Sequence, residues 1–146
     1  MNTLSAILLS PDQLDGLSRD LTALIRRHVA ERSGLKGTAY RAGLAMVERA
    51  RPGIVDRAAR KLLPKVLACL EPYYAQSRNS GLGLASQLLQ ARDAVVADLM
   101  RLADEQVNTA SEGVRQVYAR FRGGAREEIE RLLPPLAAQL DARLPR

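Results

Sequence analysis

The sequence predicts an all-α protein, and its composition is the first reason. Apolar residues make up 47% of the 146 residues, and the chain has one Phe, four Tyr and no Trp. Leu, Ala and Val carry most of the apolar share, a mix that favours helices because strands are enriched in β-branched and aromatic side chains. The second reason is that every long segment repeats its apolar residues at helical spacing. We expect residues 1–146 to form one domain, since this is a common size for a single core.

Two helices are predicted in the first third of the chain. Ser10–Gln13 is a helix start, because serine suits the N-cap and proline the first turn, and Ser33-Gly34 ends this helix. The second helix covers residues 35–50 and closes at Pro52-Gly53. Gly43 in its middle costs roughly 1 kcal/mol against Ala, which indicates a close helix crossing. The residues expected on its inner side are Ala39, Ala42, Gly43, Met46, Val47 and Ala50.

A third helix is predicted over residues 54–75, with a Leu-Leu-Pro segment at its centre. Pro64 removes one backbone hydrogen bond, so it should kink this helix or divide it in two, and Pro72 should terminate it. Leu63 is expected in the core. Residues 77–83, rich in Ser and Gly, are predicted to form the one flexible loop.

The last part of the chain carries two apolar stripes, over residues 84–102 and 107–121, at different angles around the helix axis. We predict a break between them, with a new start at the capping-box pattern Thr109–Glu112. One continuous helix is the alternative. Gly123-Gly124 should end this region, and a final helix follows through residues 129–144, with Leu133 in the core. The prediction is a compact bundle of five or six helices.

A shift of 70 positions brings similar residues of the two halves into register. Lys61–Pro64 then matches Arg131–Pro134, and several glycines coincide. A true repeat of residues 10–76 and 80–146 would give two quasi-equivalent three-helix halves. Because Leu-rich helices also match by chance, this arrangement and a bundle without a repeat both stay open at this point.

The sequence contains no pattern for catalysis or for metal binding. His28 is the only histidine and Cys69 the only cysteine, so neither a zinc site nor a Cys-His dyad is indicated. We expect both to serve packing. Gly81–Gly83 lacks the third glycine and the preceding strand of a dinucleotide site. The carboxylates of Glu127–Glu130 are explained by stabilisation of a helix start. We therefore expect no enzyme, no metal and no cofactor.

Cysteine usage and hydropathy bear on location. A single cysteine is typical of a reducing compartment. The N-terminal segment is apolar but has no basic region of the kind that export signals carry. No stretch approaches the ~18 to 20 apolar residues of a membrane span. The sequence predicts a cytoplasmic protein.

The net charge of +6 is unevenly placed. Arginines flank Pro52-Gly53 and again flank Gly123-Gly124, where one predicted helix ends and the next begins. Backbone N–H groups at a helix start favour an anion, and guanidinium groups bind phosphate in a bidentate manner. The candidate anion-binding residues are Arg49, Arg51, Gly53, Arg57, Arg120, Arg122 and Arg126. A solvated basic face is the simpler explanation.

Four segments carry a family resemblance: Ser33–Tyr40, Arg51–Val55, Leu62–Pro64 and Leu70–Tyr74. Together they resemble a small bacterial family of uncharacterised helical proteins, a domain of unknown function, with the best likeness over about residues 20–75. The resemblance implies a helical fold and supplies no catalytic residues.

These observations favour a non-enzymatic interaction or scaffold protein. Its expected partner is another protein or a second copy of the chain. The alternative is binding of an anionic polymer or surface, either nucleic acid or acidic lipid, through the two basic corners.

Overall fold

The structure of the protein, a computed structural model, describes residues 3–145. All regular elements in this range are helical, which confirms the predicted all-α fold. Seven α-helices of seven or more residues follow a first helix of five, so the prediction of five or six helices is too low. None of these helices is long and apolar enough to cross a membrane. The elements are α1 (Leu4–Leu8), α2 (Pro11–Glu31), α3 (Gly34–Ala50), α4 (Ile54–Ser80), α5 (Leu84–Gln90), α6 (Arg92–Val107), α7 (Glu112–Phe121), a 3₁₀ turn (Arg122–Gly124) and α8 (Ala125–Ala142).

One hydrophobic core lies between α1, α2, α4, α5, α6 and α8. The two leucines predicted as core positions in the Leu-Leu-Pro segments are confirmed, since Leu63 is 1% exposed and Leu133 is 0% exposed. Burial of one such side chain stabilises the fold by about 1.5 to 3 kcal/mol. The largest fully buried side chains are Leu4, Leu8, Leu17, Leu63, Leu67, Leu70, Leu84, Leu88, Leu133, Leu140, Val95 and Val96.

The short helix α1 is part of this core. Leu4 and Leu8 are fully buried, and α1 packs against α4. The hydroxyl of Thr3 accepts a hydrogen bond from the backbone N–H of Ala6 at 3.0 Å. The N–H of Leu4 donates to Glu71 Oε2 on α4 at 2.8 Å. A five-residue helix is too short to persist alone, so these contacts with α4 stabilise it.

Helix α4 continues through both of its prolines, and the prediction that Pro72 terminates it is wrong. A proline removes a backbone hydrogen bond, but α4 buries residues on both sides of Pro72, and that packing outweighs the loss. The helix ends at Gly81, whose φ of 78° is a left-handed conformation that glycine adopts without strain. The predicted loop is therefore reduced to Gly81–Gly83. The buried residues of α4 beyond Pro64 are Val66, Leu67, Leu70, Tyr73 and Ser77.

The C-terminal half contains two predicted breaks and one that was not predicted. The first predicted break separates α6 from α7, although the N-cap is Ser111 rather than Thr109. The second is at Gly123-Gly124, which lies in the 3₁₀ turn between the end of α7 and the start of α8. The unpredicted interruption is at Ala91, between α5 and α6. The proposed repeat stays a prediction.

Helices α3 and α7 pack against each other outside the core. Of the described residues, α3 buries only Gly37 and Gly43, and α7 buries none. A Cβ at Gly43 would lie 2.9 Å from Phe121 Cε2 and 3.3 Å from Val117 Cγ1, which confirms the expected close crossing. The predicted inner side of α3 is not buried in the core. Its exposed members are Ala42, Met46 and Ala50.

Candidate functional site

A groove of about 410 Å³ lies between the C-terminal half of α3 and α7. This volume is within the roughly 300 to 1,000 Å³ of typical ligand sites. Its walls combine apolar side chains with two arginines, and Ile54 at the start of α4 closes one side. The lining residues are Met46, Val47, Ala50, Arg51, Ile54, Ser111, Gly113, Val114, Gln116, Val117 and Arg120.

The groove is open where the small residues Ala50 and Gly113 line its walls. Val114, Val117 and Phe121 repeat at helical spacing along α7 and face α3. Phe121 and Val117 meet α3 closely at Gly43. Beyond that contact, a Cβ built at Gly113 meets nothing within 4 Å. Met46 on the opposite wall is 49% exposed. The result is an apolar face on each helix that the rest of the chain leaves partly uncovered.

The charges on the groove are all positive. Arg51 and Arg120 line it, and no carboxylate does so among the described residues. Neither of these guanidinium groups makes a hydrogen bond or ion pair with any residue in the described range, and the same is true of exposed Arg49. Arg51 and Arg120 belong to the two basic corners, which lie far apart in the sequence. The structure brings them to one groove.

The remaining candidate residues at the first corner are engaged within the chain. Arg57 Nη1 donates to the carbonyl oxygen of Pro52 at 3.0 Å. Gly53 has a φ of 82° and is the N-cap of α4. The N–H of Ile54 donates to the carbonyl oxygen of Arg51 at 3.0 Å. The anion-site hypothesis expects the first amide of α4 to be free, and this hydrogen bond shows that it is not.

At the second corner, two arginines pair with carboxylates. Arg122 donates to both oxygens of Asp104 on α6, at 2.7 and 3.0 Å. The hydroxyl of Tyr118 donates to Asp104 Oδ1 at 2.7 Å. Burial, followed by this hydrogen bond, raises the pKa of Tyr118 to about 12. Arg126 pairs with Glu130 at 3.3 Å. Asp104 therefore fixes α7 against α6, and only Arg120 of this corner stays unpaired.

Glu128 on α8 is the centre of a half-buried polar cluster that the sequence analysis missed. Its Oε1 lies 2.7 Å from His28 Nε2 and 2.9 Å from Arg32 Nε. Its Oε2 accepts from Arg32 Nη2 at 3.0 Å and from the Tyr40 hydroxyl at 3.1 Å. Burial raises the pKa of Glu128, but hydrogen bonds from Arg32, His28 and Tyr40 outweigh it and lower the pKa to about 2. The cluster joins α2, α3 and α8.

This cluster is linked to the groove by an aromatic contact. The Tyr40 ring meets the Phe121 ring edge-on, with centroids 4.9 Å apart and an interplanar angle of 68°. Phe121 in turn covers Gly43 at the crossing of α3 and α7. The Glu128 cluster thereby positions the end of the groove. No signal in the sequence could pair His28 with Glu128, because 100 positions separate them.

A second depression, of about 250 Å³, lies between α2 and the start of α4. Arg60 there pairs with Asp15, and the hydrogen bond from Arg60 lowers the pKa of that carboxyl. The hydroxyl of Ser18 has no hydrogen-bond partner in the described range, but it has almost no accessible surface and cannot meet a ligand. This depression gives less basis for a binding site than the groove does.

The described residues contain no group of three or more His, Cys, Asp or Glu that could hold a metal ion. Cys69 is half-buried. Burial, reinforced by the charge of Asp98, raises the pKa of its thiol. The reactive thiolate is therefore disfavoured at neutral pH.

The fold and the groove define a helical-bundle protein with an outer pair of helices. A family model described as a family of unknown function (DUF6918) matches residues 4–144, and the protein belongs to this family. The predicted resemblance to an uncharacterised family is confirmed. The match extends beyond residues 20–75, where the predicted likeness is best, and includes the C-terminal half. No curated protein and no solved structure matches the chain.

Proposed function

We propose that this protein is a non-enzymatic interaction protein that holds a partner protein in the groove between α3 and α7. The observation that carries the proposal is the apolar groove face, where Met46 on α3 is 49% exposed and Val114 and Val117 on α7 are only partly buried. A ten-residue helix is not stable by itself in water, and exposed apolar patches of this kind often mark interaction sites. A partner in the groove would cover both Val114 and Met46.

The groove chemistry suits binding better than catalysis. Arginine stays protonated in proteins, so Arg51 and Arg120 cannot act as general acids or bases at neutral pH. They can hold carboxylates by bidentate hydrogen bonds. We place this binding in the cytoplasm, which the single half-buried cysteine supports.

Site-directed photo-crosslinking in the native host tests the proposal. A photoreactive amino acid at Met46 samples the groove, and the same group at Leu89, an apolar residue on α5 that is 42% exposed, is the control. We expect a discrete protein adduct from Met46, identified by mass spectrometry, that Leu89 does not give. Equal adducts from both positions, or none from Met46, would contradict the proposal.

A pair of glycine variants makes the test specific to the groove. Gly113→Leu should fill the space that the groove leaves open and abolish the Met46 adduct. Gly113→Ala adds only a methyl group at a position where nothing lies within 4 Å, so it should keep the adduct. An adduct that survives Gly113→Leu does not come from this groove.

Binding of nucleic acid or acidic lipid is the second candidate function. It is supported by the unpaired Arg49, Arg51 and Arg120, which extend the positive surface beyond the groove. Phosphate contacts of this kind weaken steeply as salt increases. The test measures binding of a DNA duplex and of acidic liposomes at low and physiological salt, by the parent and by the Arg49→Ala, Arg51→Ala, Arg120→Ala triple variant. Equal binding by the two proteins would show that these arginines do not bind the anion.

A further inference from the structure

We infer that the occupant of the groove is an acidic amphipathic helix of another protein. This inference rests on the proposed function and names the chemistry of the partner. It follows from the shape of the groove, from its charge and from the self-repulsion that a second copy would meet.

The shape of the groove suits a helix. Two neighbouring helices form its walls, and a third helix laid along them would pack its side chains between the apolar rows of both. Met46 and Ala50 lie one helical turn apart along the α3 wall, and Ile54 at the start of α4 closes the end of that wall. Helical partners supply apolar anchors at matching intervals of three and four. The small residues Ala50 and Gly113 leave the space that such anchors need.

The charge of the groove selects an acidic partner. Arg51 and Arg120 line the groove without an ion-pair partner among the described residues, and the rest of the lining is neutral. Carboxylates on the flanks of a bound helix would pair with both guanidinium groups while its apolar face covers Met46. Opposite charges across an interface favour association, and juxtaposed like charges oppose it.

The same argument disfavours the other occupants. A second copy docked groove to groove about a two-fold axis would bring Arg51 and Arg120 against the same residues of its partner. Nucleic acid would satisfy the arginines but leave Met46 and Val114 uncovered. An acidic amphipathic helix satisfies both parts of the groove.

Two designed peptides of about 20 residues, long enough to form helix, are the probes. Both carry Leu at positions i, i+3, i+4 and i+7, and the first has Glu and the second Lys at the flanking positions. Fluorescence anisotropy measures their binding to the full chain at physiological salt. We expect the Glu peptide to bind and the Lys peptide to bind at least about tenfold more weakly.

Charge reversal of the groove provides the decisive comparison. The Arg51→Glu, Arg120→Glu double variant should lose about tenfold in affinity for the Glu peptide and gain affinity for the Lys peptide. Both arginines are unpaired, so the fold should persist, which circular dichroism checks. Gly113→Leu should weaken Glu-peptide binding and Gly113→Ala should not.

Three outcomes would overturn the inference: equal binding of both peptides, no binding of the Glu peptide, or Glu-peptide binding that survives charge reversal. A dimer in analytical ultracentrifugation that Gly113→Leu dissociates would also overturn it, because the occupant is then a second copy. A Met46 adduct with a protein that offers no acidic helix would leave the proposed function standing while this inference fails. If the parent protein gives no Met46 adduct, both the proposed function and this inference are contradicted.

Discussion

Tyr40 makes two contacts that tie the ion-pair cluster to the outer pair of helices. Its hydroxyl donates to Glu128 Oε2 at 3.1 Å, and its ring packs edge-on against Phe121 at 4.9 Å. One side chain on α3 thus contacts α8 through its polar end and α7 through its apolar body. The position of α3 relative to both helices depends on it.

Removal of the Tyr40 hydroxyl should be mildly destabilising. Tyr40→Phe keeps the ring contact with Phe121 and loses one hydrogen bond to a charged group, which is worth about 1.5 to 3 kcal/mol at most. We expect about 1 kcal/mol, because Arg32 and His28 still satisfy Glu128. Urea unfolding measures it. Tyr40→Ala should cost more, and equal stability of the two variants would show that the ring contact contributes nothing.

The core leucines of the Leu-Leu-Pro segments should be among the most sensitive positions. Leu63→Ala and Leu133→Ala should each cost about 2 to 5 kcal/mol, from lost burial plus the cavity that is left. Leu35, which is 90% exposed, provides the matched control. Leu35→Ala should stay within about 0.5 kcal/mol of the parent. Core variants that melt like the Leu35 variant would contradict the packing described here.

Stability should fall in acid as Glu128 takes up a proton. Its pKa is about 2 in the folded protein against an ordinary value of 4.5, so its contribution to stability is present above pH 4.5 and is lost as the pH falls towards 2. The loss is on the order of 3 kcal/mol. Urea unfolding from pH 7 down to pH 2 measures it.

Glu128→Gln should flatten this acid dependence. Glu127→Gln provides the comparison, because the Glu127 side chain is 43% exposed and solvent screens its ion pairs. We expect the Glu127 variant to keep most of the parent's dependence between pH 4.5 and 2. The same slope in the parent and in the Glu128 variant would assign the acid dependence to other groups.

Gly43 in the middle of α3 and Gly113 in the first turn of α7 should respond in opposite ways to alanine. Gly113→Ala should stabilise the protein by about 0.5 kcal/mol, because it lowers the entropy of the unfolded chain at a position with open space. Gly43→Ala should destabilise it by about 1 to 3 kcal/mol, because the new methyl group would lie 2.9 Å from the Phe121 ring. Thermal unfolding of both variants tests the close crossing, and stabilisation by Gly43→Ala would exclude it.

Local signals predicted several helix boundaries. Ser10 precedes α2 as expected, and Ser33-Gly34, predicted to end that helix, lies where α2 ends and α3 begins. Pro72 failed as a helix end because the burial of residues on either side of it outweighs its local preference. That balance depends on tertiary packing, which one sequence does not display.

Two arginines of the candidate site were predictable from the sequence, but the assembly of the groove was not. The apolar stripe on α3 shows that Met46 shares a face with Val47, yet periodicity cannot tell whether a core or a partner covers that face. Arg51 and Arg120 were both singled out from charge placement. That they line one groove depends on the packing of α3 against α7.

The burial of α1 and α8 in one core restricts the order in which the chain can fold during synthesis. Leu4 emerges from the ribosome before its partner Glu71 on α4, which follows 67 residues later. Leu133 and Leu140 complete the core from the last helix. The apolar faces of the earlier helices therefore stay partly uncovered until α8 has been synthesised, and the core closes only after that.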